Sequence, residues 1–356
     1  MKNSLTGELS PLVVAPRLHE FRCYHTDFPN PFSLLQMRGL TDIPGIRVGH
    51  ASDFTGITGC TAILCESGAV AGVDIRGSAT GTEEFTLFSP LHLTERIHAV
   101  TLAGGSAFGL EAASGVRRYL ERNGVGFPTG AALVPLVPAA ILYDLSIGKP
   151  TARPTREMGE AAASAATNGP VQEGSIGAGT GATVGKLFGM TRAMKSGLGS
   201  ATVPLPGGLL VSALAAVNAF GDVLDPATGK ILAGARAPAP SQGFANSWDA
   251  IKAGVLLPAA HSPALLNTTL VVVATNAKLT KPEATKLAEL ASLGVARTIS
   301  PVWTTNDGDL VIALSTGSLV AEINTLGVAA AEAVSQSIVR AVKLARSLGG
   351  LPGLAG

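Results

Sequence analysis

The sequence predicts an α/β protein whose strands and helices layer around one core, and three observations predict it. Short apolar runs bounded by glycine recur from Leu40 onward, Ala-rich stretches with helix start and stop signals lie between them, and no repeat or linker divides the middle of the chain. The runs Thr61–Cys65, Ala69–Ile75, His98–Ala103, Leu209–Val217, Thr269–Ala274 and Leu310–Leu314 read as buried strands. Ala107–Arg122 reads as a helix, with Ser106 as its N-cap and Gly124 just past its end. Arg156–Thr167 is an Ala-rich helix that stops before Asn168-Gly169. Thr280 caps a helix that carries Pro282 in its first turn and runs to Leu293. Leu326–Leu348 is a final long helix, with Arg340, Lys343 and Arg346 near its C-terminus, where cations suit the dipole. Residues 1–40 stand apart. Phe21, Tyr24, Phe28 and Phe32 sit there among prolines without sustained periodicity, so the segment reads as an N-terminal arm and 41–356 as a single domain.

Composition narrows the function. Hydrophobic residues make up 46% of the 356 and charged residues 14%, so core material is ample. With 43 glycines and 4% aromatics, the chain must pack through Ala, Gly, Val and Leu, with backbones close together. A net charge of +1 without a Lys/Arg run excludes a nucleic-acid footprint. Cys23, Cys60 and Cys65 make no disulfide framework. Cys60 and Cys65 lie five apart on a strand-like run and so face opposite sides; they read as reduced core thiols of a cytoplasmic protein. Glu8, Pro11 and Pro16 break up the apolar stretch a signal peptide needs. Gly207–Leu224 is interrupted by Asn218 and Asp222 and reads as a buried element rather than a membrane span.

Several segments invite chemical readings. Gly177–Lys186 looks like a phosphate loop, but Thr180 stands where a glycine is required and Leu187 where Ser or Thr should follow the lysine. Lys186 itself is either a strand-end lysine reaching solvent or a partly buried amine with a shifted pKa. Gly104-Gly105-Ser106-Ala107-Phe108-Gly109 lacks the second glycine of a nucleophile elbow; a helix-capping turn that can still line a pocket fits better. The histidines His19, His25, His50, His92, His98 and His261 show no ligand spacing, so no metal and no cofactor are expected.

Asn267-Thr268 directly precedes a buried strand. A threonine there suits an N-terminal nucleophile, whose side-chain oxygen attacks while its own α-amine, with a pKa of roughly 7.7–8.0, accepts the proton. Freeing that amine requires cleavage of the Asn267–Thr268 bond by Thr268 itself. Asp307-Gly308-Asp309 also precedes a strand, and its two carboxylates are suited to orienting such a nucleophile. Each segment taken alone reads more readily as a polar turn.

Together these segments resemble the L-aminopeptidase/D-esterase (DmpA-type) family of N-terminal-nucleophile hydrolases, which includes β-peptidyl aminopeptidases, pantetheine hydrolase and nylon-oligomer hydrolase. The resemblance runs from Leu40 to the C-terminus. It rests on Gly45-Ile-Arg-Val-Gly-His50, Val73-Asp-Ile-Arg-Gly77, Leu102–Leu110, Val137–Asp144, Gly181–Lys186, Val217-Asn218, Asn267-Thr268-Thr269 and Asp307–Asp309. It implies a four-layer αββα sandwich, assembled as a homotetramer, and autocleavage into fragments ending at Asn267 and starting at Thr268. It implies Asn218 as oxyanion donor, worth about 3 kcal/mol, and Asp307 and Asp309 as the pair positioning Thr268. Tyr143 and Lys186 become pocket residues, and Ser106 lies in a motif that can contact substrate; Lys186 would also keep the Thr268 amine neutral by like-charge repulsion. Thr in place of the aminopeptidases' Ser, and Asp307-Gly-Asp309 in place of their Ser-Gly-Glu, bring the chain nearer to the pantetheine and nylon-oligomer hydrolases. The expectation is an amide hydrolase of short peptides or peptide-like amides, acting through an acyl-enzyme on Thr268. Endo-type hydrolysis of 6-aminohexanoate oligomers is the alternative, and a non-catalytic nucleotide-binding protein the distant one.

Overall fold

The computed structural model describes Met1 and residues 37–241, 243–255 and 267–356. The body of the expected arm, with Cys23, His19 and His25, lies outside the described residues, as does His261. From Met37 onward the elements run β1 (Arg47–Asp53), β2 (Thr58–Ile75), β3 (Gly81–Glu83), β4 (Arg96–Ala103), α1 (Glu111–Arg122), β5 (Ala139–Ile141), α2 (Arg156–Ser164), β6 (Leu198–Pro204) and β7 (Leu210–Asn218). Then come α3 (Ser247–Lys252), β8 (Thr268–Ala277), α4 (Lys281–Thr298), β9 (Leu310–Leu319) and α5 (Ile323–Lys343). The strands form one nine-stranded sheet in the order β6-β7-β8-β9-β2-β4-β5-β3, with β1 also paired to β2.

Strand β2 holds the sheet together. The two runs expected at Thr61–Cys65 and Ala69–Ile75 are one strand of 18 residues. Its pairing with β4 shifts between Leu64 and Ala69, where Gly68 takes a φ of +85°. Such a bulge bends a strand without ending it. The first half pairs with β1 and β4, the second with β9, so one strand serves two halves of the sheet.

Alternation along the strands then builds the layers. On β8, Leu270, Val272 and Ala274 join a central core with Ile63, Cys65 and Leu102 from the other half of the sheet. Val271 and Val273 face the opposite way, into a core closed by Leu287, Ala291, Ala330 and Val334 of α4 and α5. Beyond the other half, Cys60, Ala62 and Ala99 pack on Ala112, Val116, Ala162 and Ala163 of α1 and α2. Helices, one half of the sheet, the other half, helices: the single sheet, shared through β2, makes the αββα sandwich. Cys60 and Cys65 do sit on opposite faces of β2, and both are free thiols. Gly207–Leu224 supplies β7, whose residues from Val211 to Asn218 are all buried. Among the described residues, no helix is long and apolar enough to cross a membrane.

Helix bounds change: α2 ends at Ser164 rather than Thr167, α4 runs on to Thr298 rather than Leu293, α5 ends at Lys343 rather than Leu348, and two helix starts move. Ser106 does not cap α1. It opens a 3-10 turn, Ser106–Leu110, with a φ of +54° and no capping hydrogen bond from its side chain. The reason is that Gly105 N–H is held by the Asp144 carboxylate at 2.7 Å, and Ser106 N–H by the Leu142 carbonyl at 3.0 Å, which pins the backbone in a tight turn before the helix begins. The last helix starts earlier than its apolar pattern, at Ile323, because Glu322 accepts from the N–H groups of Asn324 and Thr325. Thr280 caps α4 as expected, in a capping box with Glu283.

The glycine content has a packing cause. A Cβ on Gly159 of α2 would lie 1.9 Å from the Ala112 carbonyl oxygen of α1, and one on Gly115 of α1 would lie 1.8 Å from the Arg156 carbonyl oxygen. The two helices touch backbone to backbone. Gly159→Ala therefore destabilises the fold by about 1–3 kcal/mol, read as a lower melting temperature, whereas Gly169→Ala, whose Cβ would meet the Thr167 hydroxyl at an ordinary 3.5 Å, stays within about 0.5 kcal/mol.

His50 on β1 gives the fold an acid limit. Its Nδ1 pairs with Thr61 Oγ1 at 2.9 Å, and that oxygen also accepts from Ala178 N–H. Burial pushes the imidazole down to about 4. The unfolded chain takes up the proton near pH 6.5 and the folded chain only near 4, so this contribution is present above 6.5 and lost as pH falls toward 4. Across that window the native chain should lose on the order of 2–3 kcal/mol more than a His50→Gln variant in denaturant titrations; parallel losses would refute the assignment.

Candidate active site

Strand pairing brings the candidate residues together. In the antiparallel β7–β8 ladder Asn218, the last residue of β7, stands directly opposite Thr268, the first of β8. In the parallel β8–β9 ladder Leu270 pairs with Leu310, which sets Asp309 beside the start of β8. One residue earlier, Asn267 bridges to Asp307, with Asn267 N–H on the Asn306 carbonyl at 3.1 Å and Gly308 N–H on the Asn267 carbonyl at 2.7 Å. Asn218, Asn267, Thr268, Asp307 and Asp309 are all buried.

Thr268 Oγ1 donates to the Asn267 carbonyl oxygen at 2.5 Å, so the hydroxyl lies against the peptide unit it would cut. Asn218 is held from three sides. Its Oδ1 accepts from Lys186 Nζ at 2.7 Å, from Thr183 N–H at 3.1 Å and from Thr183 Oγ1 at 3.3 Å, which fixes which end of the amide is oxygen. Its Nδ2 donates to the Tyr143 carbonyl at 3.0 Å. An amide nitrogen carries two hydrogens, so one N–H is left uncommitted among the described residues.

The two aspartates grip backbone rather than the threonine hydroxyl. Asp309 Oδ1 accepts from Thr269 N–H at 2.5 Å. Asp307 Oδ2 accepts from Thr304 N–H at 2.8 Å and Thr304 Oγ1 at 2.6 Å. The pair thus fixes the strand start that carries Thr268 and the loop beside it. Burial raises both carboxyls, and Asp307 raises Asp309 further, as two nearby carboxylates cannot both ionise cheaply in a dry site.

Lys186 is 2% exposed, so the solvent-reaching reading of it is wrong. Burial pushes its amine down to about 7, against the upward pull of Asp307, Asp309 and Asp144. The phosphate-loop reading of its segment fails for a physical reason: the backbone donors are already taken. Gly177 N–H is on Ser52 Oγ, Ala178 N–H on Thr61 Oγ1, Thr183 N–H on Asn218, Gly185 N–H on Gly221 O and Lys186 N–H on Phe220 O. A cavity beside Lys186 is lined by Tyr143, Asp144, Thr183 and Met190. Ser106 is half-buried next to Gly105, and the anion at that turn is the chain's own Asp144.

Sequence reasoning missed several members. Lys195 is wholly buried, its ammonium on the carbonyls of Gly179, Ala182 and Ser196, and burial pushes it down to about 7. Asp144, raised to about 6 by burial, ties Gly105 to Thr58 and faces Lys195 electrostatically. Thr183 and Thr304 orient Asn218 and Asp307. Nothing in the local sequence marks Lys195, and Asp144 closes the Val137–Asp144 motif with no chemistry that its neighbours point to. Among the described residues, no cluster of His, Cys, Asp and Glu is arranged to hold a metal ion.

Residues 38–355 match the model of peptidase family S58. An uncharacterized aminopeptidase of Mycobacterium leprae is 38% identical over 355 residues, covering 89% of this chain and 93% of that protein. The 6-aminohexanoate-oligomer endohydrolase of a Kocuria species is 31% identical, covering 85% of each. Among solved structures, the L-aminopeptidase D-Ala-esterase/amidase of Ochrobactrum anthropi, described as a variant of the Ntn-hydrolase fold, matches with a TM-score of 0.66 at 21% identity over 88% of each chain. A Burkholderia β-aminopeptidase matches with a TM-score of 0.63 at 24% identity, over 90% of this chain and 91% of that one. This chain belongs to peptidase family S58 and is a hydrolase of peptide or amide bonds.

Proposed function

We propose that the chain cuts itself between Asn267 and Thr268 and that the freed Thr268 then hydrolyses short peptides or peptide-like amides through an acyl-enzyme ester. The observation that carries this reading is Thr268 Oγ1 lying 2.5 Å from the Asn267 carbonyl oxygen, with Asn218 directly opposite in the ladder. After the cut, the Thr268 α-amine accepts the hydroxyl proton as Oγ1 attacks a substrate carbonyl. The second N–H of Asn218 receives the oxyanion. Lys186 keeps the Asn218 amide turned the right way through its bond to Oδ1. A lysine near neutrality needs little driving to stay uncharged, and when charged it disfavours a second ammonium on Thr268. The resulting ammonium gives that proton to the leaving nitrogen as the amide C–N bond breaks, and water, losing a proton to the amine, then attacks the ester and releases the acyl group as a carboxylic acid, restoring the Thr268 hydroxyl.

The fragments would be 1–267 and 268–356, so that the domain from residue 41 is divided into 41–267 and 268–356. Endo-hydrolysis of 6-aminohexanoate oligomers is the second reading, favoured by the 31% identity to the Kocuria enzyme. Two free buried thiols support a reducing, cytoplasmic setting. A homotetramer of cleaved chains completes the proposal, and sedimentation velocity reads that mass.

Purified protein should run on a denaturing gel as two pieces, with the intact mass of the smaller beginning at Thr268. Thr268→Ala should remain whole; a Thr268→Ala chain that still splits at this bond removes the mechanism. In processed enzyme, Asn218→Ala should lower kcat by about 100-fold or more, measured on amino-acid p-nitroanilides and on 6-aminohexanoate oligomers. The faster of these substrate classes decides between the two readings.

A further inference from the structure

Self-cleavage and substrate hydrolysis each develop an oxyanion, and the described contacts give them different donors. The carbonyl that would be attacked in the first reaction belongs to Asn267, and the contact the Asn218 amide nitrogen makes is with the Tyr143 carbonyl, not with that oxygen. The backbone N–H of Gly308 donates to the Asn267 oxygen at 2.7 Å, opposite a Thr268 hydroxyl held at 2.5 Å from the same atom. Gly308 also has to be glycine for the nucleophile's sake. A Cβ there would lie 2.7 Å from Thr268 Oγ1 and 2.6 Å from the Ala79 carbonyl oxygen. The loop that presents this N–H is clamped: Arg76 and Gly77 N–H groups bind the Asp309 carbonyl at 3.0 and 2.9 Å, and Ala79 N–H binds the Asp307 carbonyl at 2.9 Å.

We propose that the Gly308 backbone N–H is the oxyanion donor for self-cleavage, a catalytic group separate from the Asn218 amide that serves substrate. This rests on the self-cleavage reading above. In the step it serves, Thr268 Oγ1 forms a bond to the Asn267 carbonyl carbon, and the carbonyl electron pair moves onto the oxygen held by Gly308. Collapse breaks the Asn267 C–Thr268 N bond, and the hydroxyl proton ends on the departing nitrogen. The products are an Asn267 ester on Oγ1 and a free α-amine. Water then hydrolyses the ester to the Asn267 carboxylate and the Thr268 hydroxyl. Preorganisation is the source of the effect: the donor is already on the oxygen before charge develops, so little reorganisation is needed.

The test replaces Gly308 with glycolic acid by nonsense suppression, which exchanges the N–H for an ester oxygen and adds no bulk. The full-length chain is followed by intact mass from the moment of synthesis, beside the native chain, Thr268→Ala and a Gly229 glycolate control, whose lost N–H donates to Asp225 on an exposed turn. The expected result is cleavage of the native and control chains and at least about 100-fold slower cleavage of the Gly308 ester, the usual worth of one such donor. An ester chain with native circular dichroism that is processed at the native rate overturns the proposal and leaves the self-cleavage reading standing. A native chain that never splits overturns both. Should the ester chain fail to fold, the uncleavable Thr268→Ala chain supplies the second measurement. A through-hydrogen-bond coupling between Gly308 15N and Asn267 13C′ supports the assignment, and its absence overturns it.

Discussion

The register between β7 and β8 is the constraint on which the site depends. Asn218 faces Thr268 because Leu214 faces Val272 and Ala216 faces Leu270, so the pairing is fixed by which side chains enter which core. A slip of one residue would send Leu270 and Val272 out of the central layer and Val271 and Val273 into it. It would also put Thr269 across from Asn218. The same hydrophobic alternation that makes the sandwich therefore sets Asn218 across from Thr268, and β9, paired in parallel on the other side, adds Asp309 by the same means.

Water exclusion is the second condition, and it explains the unusual charges. Two lysines and three aspartates are buried close enough to influence one another, and burial moves every one of them toward its neutral form. Such groups are costly unless their hydrogen-bonding capacity is used. Lys195 spends its hydrogens on carbonyls of Gly179, Ala182 and Ser196, and so stiffens the segment that carries Thr183. Lys186 spends its own on both oxygens of Asn218, side chain and backbone. The lysines thus act as cross-braces for the amide.

The layers were legible because period-two runs such as Thr269–Ala274 carry two cores at once, one on each face. The Thr280–Glu283 box and the opposite-facing Cys60 and Cys65 were legible for equally local reasons. Thr268, Asn218 and Asp309 became legible only as a set, since each alone is an ordinary turn or strand-end residue. Ser106 misled because capping propensity assumes a free helix start, whereas here Asp144, 38 positions on, takes the turn for itself. Lys195 was invisible because its partners are main-chain carbonyls, which carry no residue identity at all.

That last point applies to the centre of the site. Helices and strands built from Ala and Gly approach until backbones touch, as at Gly115 and Gly159, and in such a protein backbone groups are the nearest neighbours of most things. The Asn267 carbonyl is met by an N–H of Gly308, the Thr269 N–H by Asp309 and the Asn218 amide by the Tyr143 carbonyl. Main-chain dipoles are rigid, need no rotamer to be frozen and can be brought to a reacting atom only where no side chain stands between. A residue reads as catalytic in sequence when its side chain does the work. Where a glycine's N–H does it, the sequence shows a turn, and the role proposed for Gly308 rests on the contacts packed around it.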